Sequence, residues 1–151
     1  MKVYLLHNVS VYLGLLSIAI RNLLPETVPI HHLGLFREPV SLQPVEYYNN
    51  LPYHSDPPST SSKQHLAIIL DPIIATGGTV AAAIQTLKEW NVSKIVVISV
   101  LGSEAGVRKA VEEWDQVQVW VAGVDSKLNE KGMIVPGVGD VGDRLFGTKG
   151  K

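Results

Sequence analysis

The sequence predicts an α/β fold, a parallel sheet flanked by helices, in a single domain over residues 1–151. Three observations predict it. Short apolar runs such as "HLAIIL" and "SKIVVISVL" suit strands covered on both faces, as parallel strands usually are. Segments with apolar residues three and four apart alternate with those runs, which marks amphipathic helices. The connections are short, so strand, helix and strand follow one another as crossover units.

Taken in order, Lys2–Leu6 reads as a strand and Leu13–Leu24 as a helix stopped by Pro25. Val28–Phe36 reads as a second strand. "REPVSLQPVEYYNNLP" alternates β-formers with polar residues between prolines, the pattern of a two-stranded arm over about 37–52. Residues 53–64, "YHSDPPSTSSKQ", hold prolines and serines but no large aliphatics and read as a flexible loop. His65–Leu70 is a buried strand. Thr79–Trp90 is a helix with Val80, Ala83, Ile84 and Leu87 on its apolar side. Residues 93–101 form a strand, and 104–114 a helix with Val107, Ala110, Val111 and Trp114 inward. Residues 117–124 are a further strand. The glycine-rich tail reads as structured loop, and Trp90, Trp114 and Trp120 as core or helix-end packing.

Composition narrows the function. The chain is 46% hydrophobic and 18% charged, with a net charge of −1, which argues against a nucleic-acid surface or a polybasic membrane patch. It has no cysteine, so disulfides and thiolate metal sites are excluded. The apolar run Val11–Ile20 is too short to span a bilayer and no cleavage site follows it. A cytoplasmic location is the expectation. His31 and His32 are neighbours on a strand and so face opposite sides, one packed and one exposed, rather than sharing a metal. No H-E-x-x-H or Ser-His-Asp pattern is present, which leaves zinc-protease and hydrolase readings without support.

Two stretches carry chemistry. In "LDPIIATGGTV", residues 70–80, a buried strand ends in Asp71 and a helix begins near Thr79. In open parallel sheets, ligands bind beyond the carboxyl ends of the strands, where helix N-termini offer unpaired N–H groups. Gly77 and Gly78 permit close backbone approach, and the hydroxyls of Thr76 and Thr79 add donors, so the loop can form an anion cup. Asp71 can accept from ribose hydroxyls or, through water, hold a Mg²⁺ ion. A plain strand-to-helix turn capped by Thr79 stays open as the alternative. The loop is neither G-x-G-x-x-G nor G-x-x-x-x-G-K-[ST], so dinucleotide and Walker-type sites are poorly supported.

The second stretch is "IVPGVGDVGDR", residues 134–144. Gly137, Gly139 and Gly142 can turn main-chain N–H and C=O groups toward a planar ligand. A pyrimidine edge needs that mix of donors and acceptors. A solvated surface turn is the alternative here.

These stretches, with "GLFREPVSLQPVEYYNNLP" upstream and "LNEKGMIVPGVGDVGDRLFGT" downstream, resemble the uracil phosphoribosyltransferase family over about Leu24 to Thr148. The resemblance implies a Rossmann-like parallel sheet with a projecting β-arm, the type I phosphoribosyltransferase fold. It implies transfer of phosphoribose from phosphoribosyl diphosphate to uracil, giving UMP and diphosphate, with Mg²⁺ as cofactor. Phosphoribosyl diphosphate would contact Arg37, Asp71, Pro72, Ile73, Ile74, Ala75, Thr76, Gly77, Gly78, Thr79 and Asp140. Uracil would contact Ile134, Gly139, Asp140 and Val141. Asp71, Asp140 and Arg37 would be catalytic. A homo-oligomer of two or more copies and a GTP effector are further implications.

The sequence departs from that pattern in three places. Family members carry a substantial segment before the region matching Met1. They also place an arginine where this chain reads "NVSVYLGLL", and the nearest basic residue here is Arg21. Finally, residues 53–64 lengthen the connection after the arm. The second reading these departures raise is a catalytically impaired homologue that binds uracil or UMP, or regulates.

Overall fold

The computed structural model describes residues 2–8, 13–38, 43–51, 65–139, 144 and 147. β1 (Lys2–Asn8) leads to α1 (Leu13–Leu23), β2 (Ile30–Arg37) and β3 (Pro44–Asn49). β4 (His65–Leu70) and the short β5 (Ile73–Ile74) precede α2 (Gly78–Glu89), β6 (Lys94–Ser103), α3 (Glu104–Glu112) and β7 (Val117–Asp125). A small hairpin of β8 (Lys127–Leu128) and β9 (Ile134–Val135) follows.

β1 lies parallel between β2 and β4. β6 takes β4 along its first half and β5 along its second, while β7 runs parallel along its other edge. β3 turns back antiparallel on β2. The break between β4 and β5 answers why Asp71 and Pro72 interrupt an apolar run. The strand pauses there, and the Pro72 carbonyl accepts from both Val100 N and Leu101 N at 3.1 Å.

Neighbouring residues of a strand face opposite sides, and the core divides accordingly. Leu6, Leu33, Ile69, Ile95 and Val97 pack against Val80, Ile84 and Leu87 of α2 and Ala110 of α3. Leu5, Ile68 and Leu70 pack on the other side against Leu16, Ile20 and Leu24. Each fully buried aliphatic side chain contributes about 1.5–3 kcal/mol relative to exposure. α2 buries the four positions its spacing predicts, Val80, Ala83, Ile84 and Leu87. It closes with Asn91 at φ 61°, where Val92 N donates to Leu87 O and Asn91 N to Lys88 O, a Schellman-type end. Among the described residues, no helix is long and apolar enough to cross a membrane.

Several expectations change. The arm is not a separate hairpin: its first strand is β2 itself, and β3 folds back on it with a register shift at Gly34/Leu35. Tyr47 and Tyr48 crowd Gly34, where a Cβ would lie 2.7 Å from the Tyr47 ring. The third helix ends at Glu112, and Val111 is exposed because only Gly106 and Ala110 of α3 are buried. The described start of the tail is not loop alone: Ile134–Val135 pairs antiparallel with Lys127–Leu128. Trp120 is not core: it is 65% exposed, since it points away from the α2–α3 layer to which Val117, Val119 and Val121 turn. His31 and His32 are both half-buried rather than one in and one out. The loop at 53–64 lies outside the described residues.

Candidate active site

The carboxyl ends of β4, β5, β6 and β7 gather the two glycine-rich stretches. Asp71 follows β4, its backbone N–H bonded to Ile98 O at 3.2 Å. Asp71 and Thr79 border one small apolar gap in the core, beside Leu6, Leu33, Leu35 and Val80. Ile73 and Ile74 are not loop: they form β5, with Ile73 half-buried and the Ile74 side chain buried in the core. Ala75 and Thr76 are half-buried, Gly77 and Gly78 buried. The N-cap of α2 is Gly77 at φ 73°, not Thr79. Gly77 has no side chain to accept from the first-turn amides, so nothing of the cap itself closes the helix start to an anion.

Backbone packs on backbone beneath this loop. A Cβ on Gly77 would lie 2.5 Å from Gly106 O, and one on Gly106 would lie 2.2 Å from Ala75 O. Ser103, fully buried, donates its hydroxyl hydrogen to Ala75 O and accepts from Gly106 N at 2.9 Å. Ser103 and Gly106 escaped the sequence reading, although a serine opening a helix with small residues behind it is an N-cap signal.

Arg37 ends β2 as the register partner of Pro44. The Pro44 ring lies 3.9 Å from where a Cβ on Gly78 would sit, so the base of the arm abuts the Asp71–Thr79 loop. Arg21 is elsewhere. It lines a cleft with Asn22, Glu26 and Val28 that leads into the start of β2, at the opposite end of the sheet from Asp71. It therefore does not stand in for the arginine the family places earlier.

The second glycine-rich stretch hangs from β7. Ile134 is buried in β9 and pairs with Leu128. The Asn129 side chain organises the hairpin, accepting from Lys131 N at 3.0 Å and Met133 N at 2.9 Å. Gly137, at φ 52°, donates its N–H to Asp125 Oδ2 at 3.0 Å. Gly139, at φ 69°, is exposed with no atom within 4 Å of an added Cβ. Arg144 donates to Val138 O at 2.8 Å. Asp140 and Val141 lie outside the described residues. Asp125 also escaped the sequence reading, yet it ends an apolar strand just as Asp71 does. Ile74, Gly102 and Val124 stand side by side on β5, β6 and β7. Two strand spacings, roughly 10 Å, therefore separate the roots of the two loops.

A family model described as uracil phosphoribosyltransferase matches residues 14–148. The chain belongs to the uracil phosphoribosyltransferase family. Among curated members, it is 46% identical over 130 residues to a putative uracil phosphoribosyltransferase of Schizosaccharomyces pombe, covering 86% of this chain and 59% of that protein. It is 41% identical over 151 residues to the uracil phosphoribosyltransferase of Roseiflexus castenholzii, covering 94% of this chain and 69% of that one. The chain thus spans between half and seven-tenths of the curated family members it matches. Among solved structures, protein AQ2163 of Aquifex aeolicus superposes with a TM-score of 0.81 at 29% identity, covering 99% of this chain and 67% of that one. An adenine phosphoribosyl transferase of Trypanosoma brucei, solved with AMP, pyrophosphate and ribose-5-phosphate, superposes at 0.54 with 21% identity, covering 93% of this chain and 61% of that one. That likeness concerns the fold alone: the family member described here shares the helix-flanked sheet of phosphoribosyltransferases.

Proposed function

We propose that this chain transfers the phosphoribosyl group of phosphoribosyl diphosphate to uracil, releasing UMP and diphosphate. The observation that carries the reading is the neighbouring of two loops at the sheet's carboxyl edge. One is a side-chain-free helix start behind an acid, Asp71–Thr79; the other is the main-chain-rich turn Ile134–Gly139. The first suits a sugar phosphate, because helix-start amides and the positive dipole end attract dianions. The second suits a pyrimidine edge, because backbone groups supply donors and acceptors together.

In the reaction, the bond from the ribose anomeric carbon to diphosphate breaks with its electron pair, and uracil N1 bonds to that carbon as it gives up its proton. The protein's share is positioning and charge stabilisation. The amides of 76–79 would hold the 5′-phosphate, and Asp71 would accept from the ribose hydroxyls. Arg37 and Asp140 would face the diphosphate side, while Ile134, Gly139, Asp140 and Val141 would hold the base.

Mg²⁺ fits this donor set. Asp71 is a half-buried carboxylate at the carboxyl end of β4, and Mg²⁺ is ordinarily held by one or two carboxylates plus substrate phosphates. When bound, the ion would neutralise charge on the departing diphosphate. A homo-oligomer belongs to the same reading. The exposed row Val100, Trp120 and Val124 is apolar surface of the kind association covers.

Incubation of the pure protein with labelled uracil, phosphoribosyl diphosphate and Mg²⁺ should yield labelled UMP. No product at high protein concentration over hours would refute the activity.

A further inference from the structure

Ser103 and Asp125 are register partners, the last residues of the adjacent parallel strands β6 and β7. Each reaches back to a different loop. The Ser103 hydroxyl donates to Ala75 O, on the approach to the anion cup. Asp125 Oδ2 accepts from Gly137 N at 3.0 Å, in the turn beside Gly139. The loops are otherwise built independently: one from β5 and α2, the other from the β8–β9 hairpin.

We propose that Ser103 and Asp125 form a paired clamp whose strand register sets the spacing between the sugar-phosphate loop and the base loop. The inference rests on the reading of those loops given above. Both are positioning residues. Neither is required to touch a substrate, and each acts through the backbone it holds.

Three features make the clamp stiff. Ser103 is fully buried, and its hydroxyl is used in both directions, as donor to Ala75 O and acceptor from Gly106 N. The loop it holds lies backbone-to-backbone on α3, so it cannot shift without moving Gly106. On the other side, Gly137 is held in a left-handed conformation against Ile134 O, where a Cβ would lie 2.3 Å away. That close fit passes the Asp125 anchor on to Ile134. The strands between the anchors are joined by an unbroken parallel ladder from Leu101↔Gly123 to Ser103↔Asp125. A reaction with little covalent work for the protein depends on bringing N1 and the anomeric carbon into line, and a displacement of about 1 Å can cost on the order of a hundredfold.

The test uses the whole chain and two readouts. In amide hydrogen exchange without ligand, Asp125→Ala should strip protection from Gly137 and leave Gly106, whose N–H donates to the Ser103 hydroxyl beneath the other loop, unchanged. Ser103→Ala should do the reverse. In steady-state kinetics, Asp125→Ala should raise KM for uracil roughly tenfold, the worth of one hydrogen bond to a carboxylate, and leave KM for phosphoribosyl diphosphate nearly unchanged. Ser103→Ala should raise KM for phosphoribosyl diphosphate instead. Asp125→Asn keeps an acceptor oxygen and should return most of the loss. Equal effects of both variants on both substrates, or no rescue by asparagine, would overturn the clamp. If the wild-type chain made no UMP, the activity reading would fail on its own. Exchange that failed to separate the two loops would then overturn the clamp independently.

Discussion

The two faces of the sheet are finished to different degrees. On one face, α2 and α3 cover the strands from β2 to β7, and Ile84, Leu87, Ile95, Val97 and Ala110 are fully buried there. On the other, among the described residues, α1 packs chiefly on β1 and β4. The strip beyond it carries Val100 and Val124, each 55% exposed, and Trp120. Parallel sheets are ordinarily covered on both faces. The difference teaches where the stability of the described residues is concentrated: under α2 and α3, the layer that also carries the Asp71–Thr79 loop.

Four measurements would break or sharpen that contrast. The largest effect belongs to Ile84→Ala, which empties a fully buried position and should lower the unfolding free energy by about 2–5 kcal/mol in urea titration. A cost under a kilocalorie would mean the α2–α3 layer is not the main core. Next, Gly106→Ala drives a Cβ to 2.2 Å from Ala75 O and should cost about 1–3 kcal/mol. It should also weaken stabilisation by UMP in thermal melts. An unchanged response to UMP would separate that loop from ligand binding.

A smaller effect depends on pH. Burial pushes the His31 imidazole below its ordinary 6.5, against an opposing hydrogen bond to the Asn50 backbone, while His32 adds to the lowering. The unfolded chain therefore binds the proton more readily. The stability His31 confers is complete above 6.5 and is lost as the pH falls from there through the lowered folded value. Melting temperature should drop over that window, and His31→Phe should flatten its share of the drop. A slope untouched by the substitution would remove His31 from the account. The smallest effect should be Trp120→Ser, on the bare strip, which should leave monomer stability within about 0.5 kcal/mol. A loss of several kilocalories would show that this strip is packed and that the two faces are alike.

Much of the fold was legible because burial leaves a periodic mark. The apolar runs of β4, β6 and β7 and the spacing in α2 follow from which side chains must leave water. Trp120 was misread for the complementary reason. An apolar residue in a strand looks the same whether or not a helix arrives to cover it, and distant segments decide that. Likewise, the arm's alternating pattern marks β-structure but does not name its partner, which is β2.

The site divides along the same line. The left-handed turns at Gly77 and Gly139 could be read locally, because side-chain-free positions state their own backbone requirements. The anchors Ser103 and Asp125 could not, since their partners Ala75 and Gly137 lie 28 and 12 residues away. Sequence by itself determined which segments become strands and helices and which loops can present bare amides, since those are properties of neighbouring residues. Tertiary structure alone decided which face stays open and which strand ends hold the loops together, because contacts between distant segments exist only once the sheet is assembled.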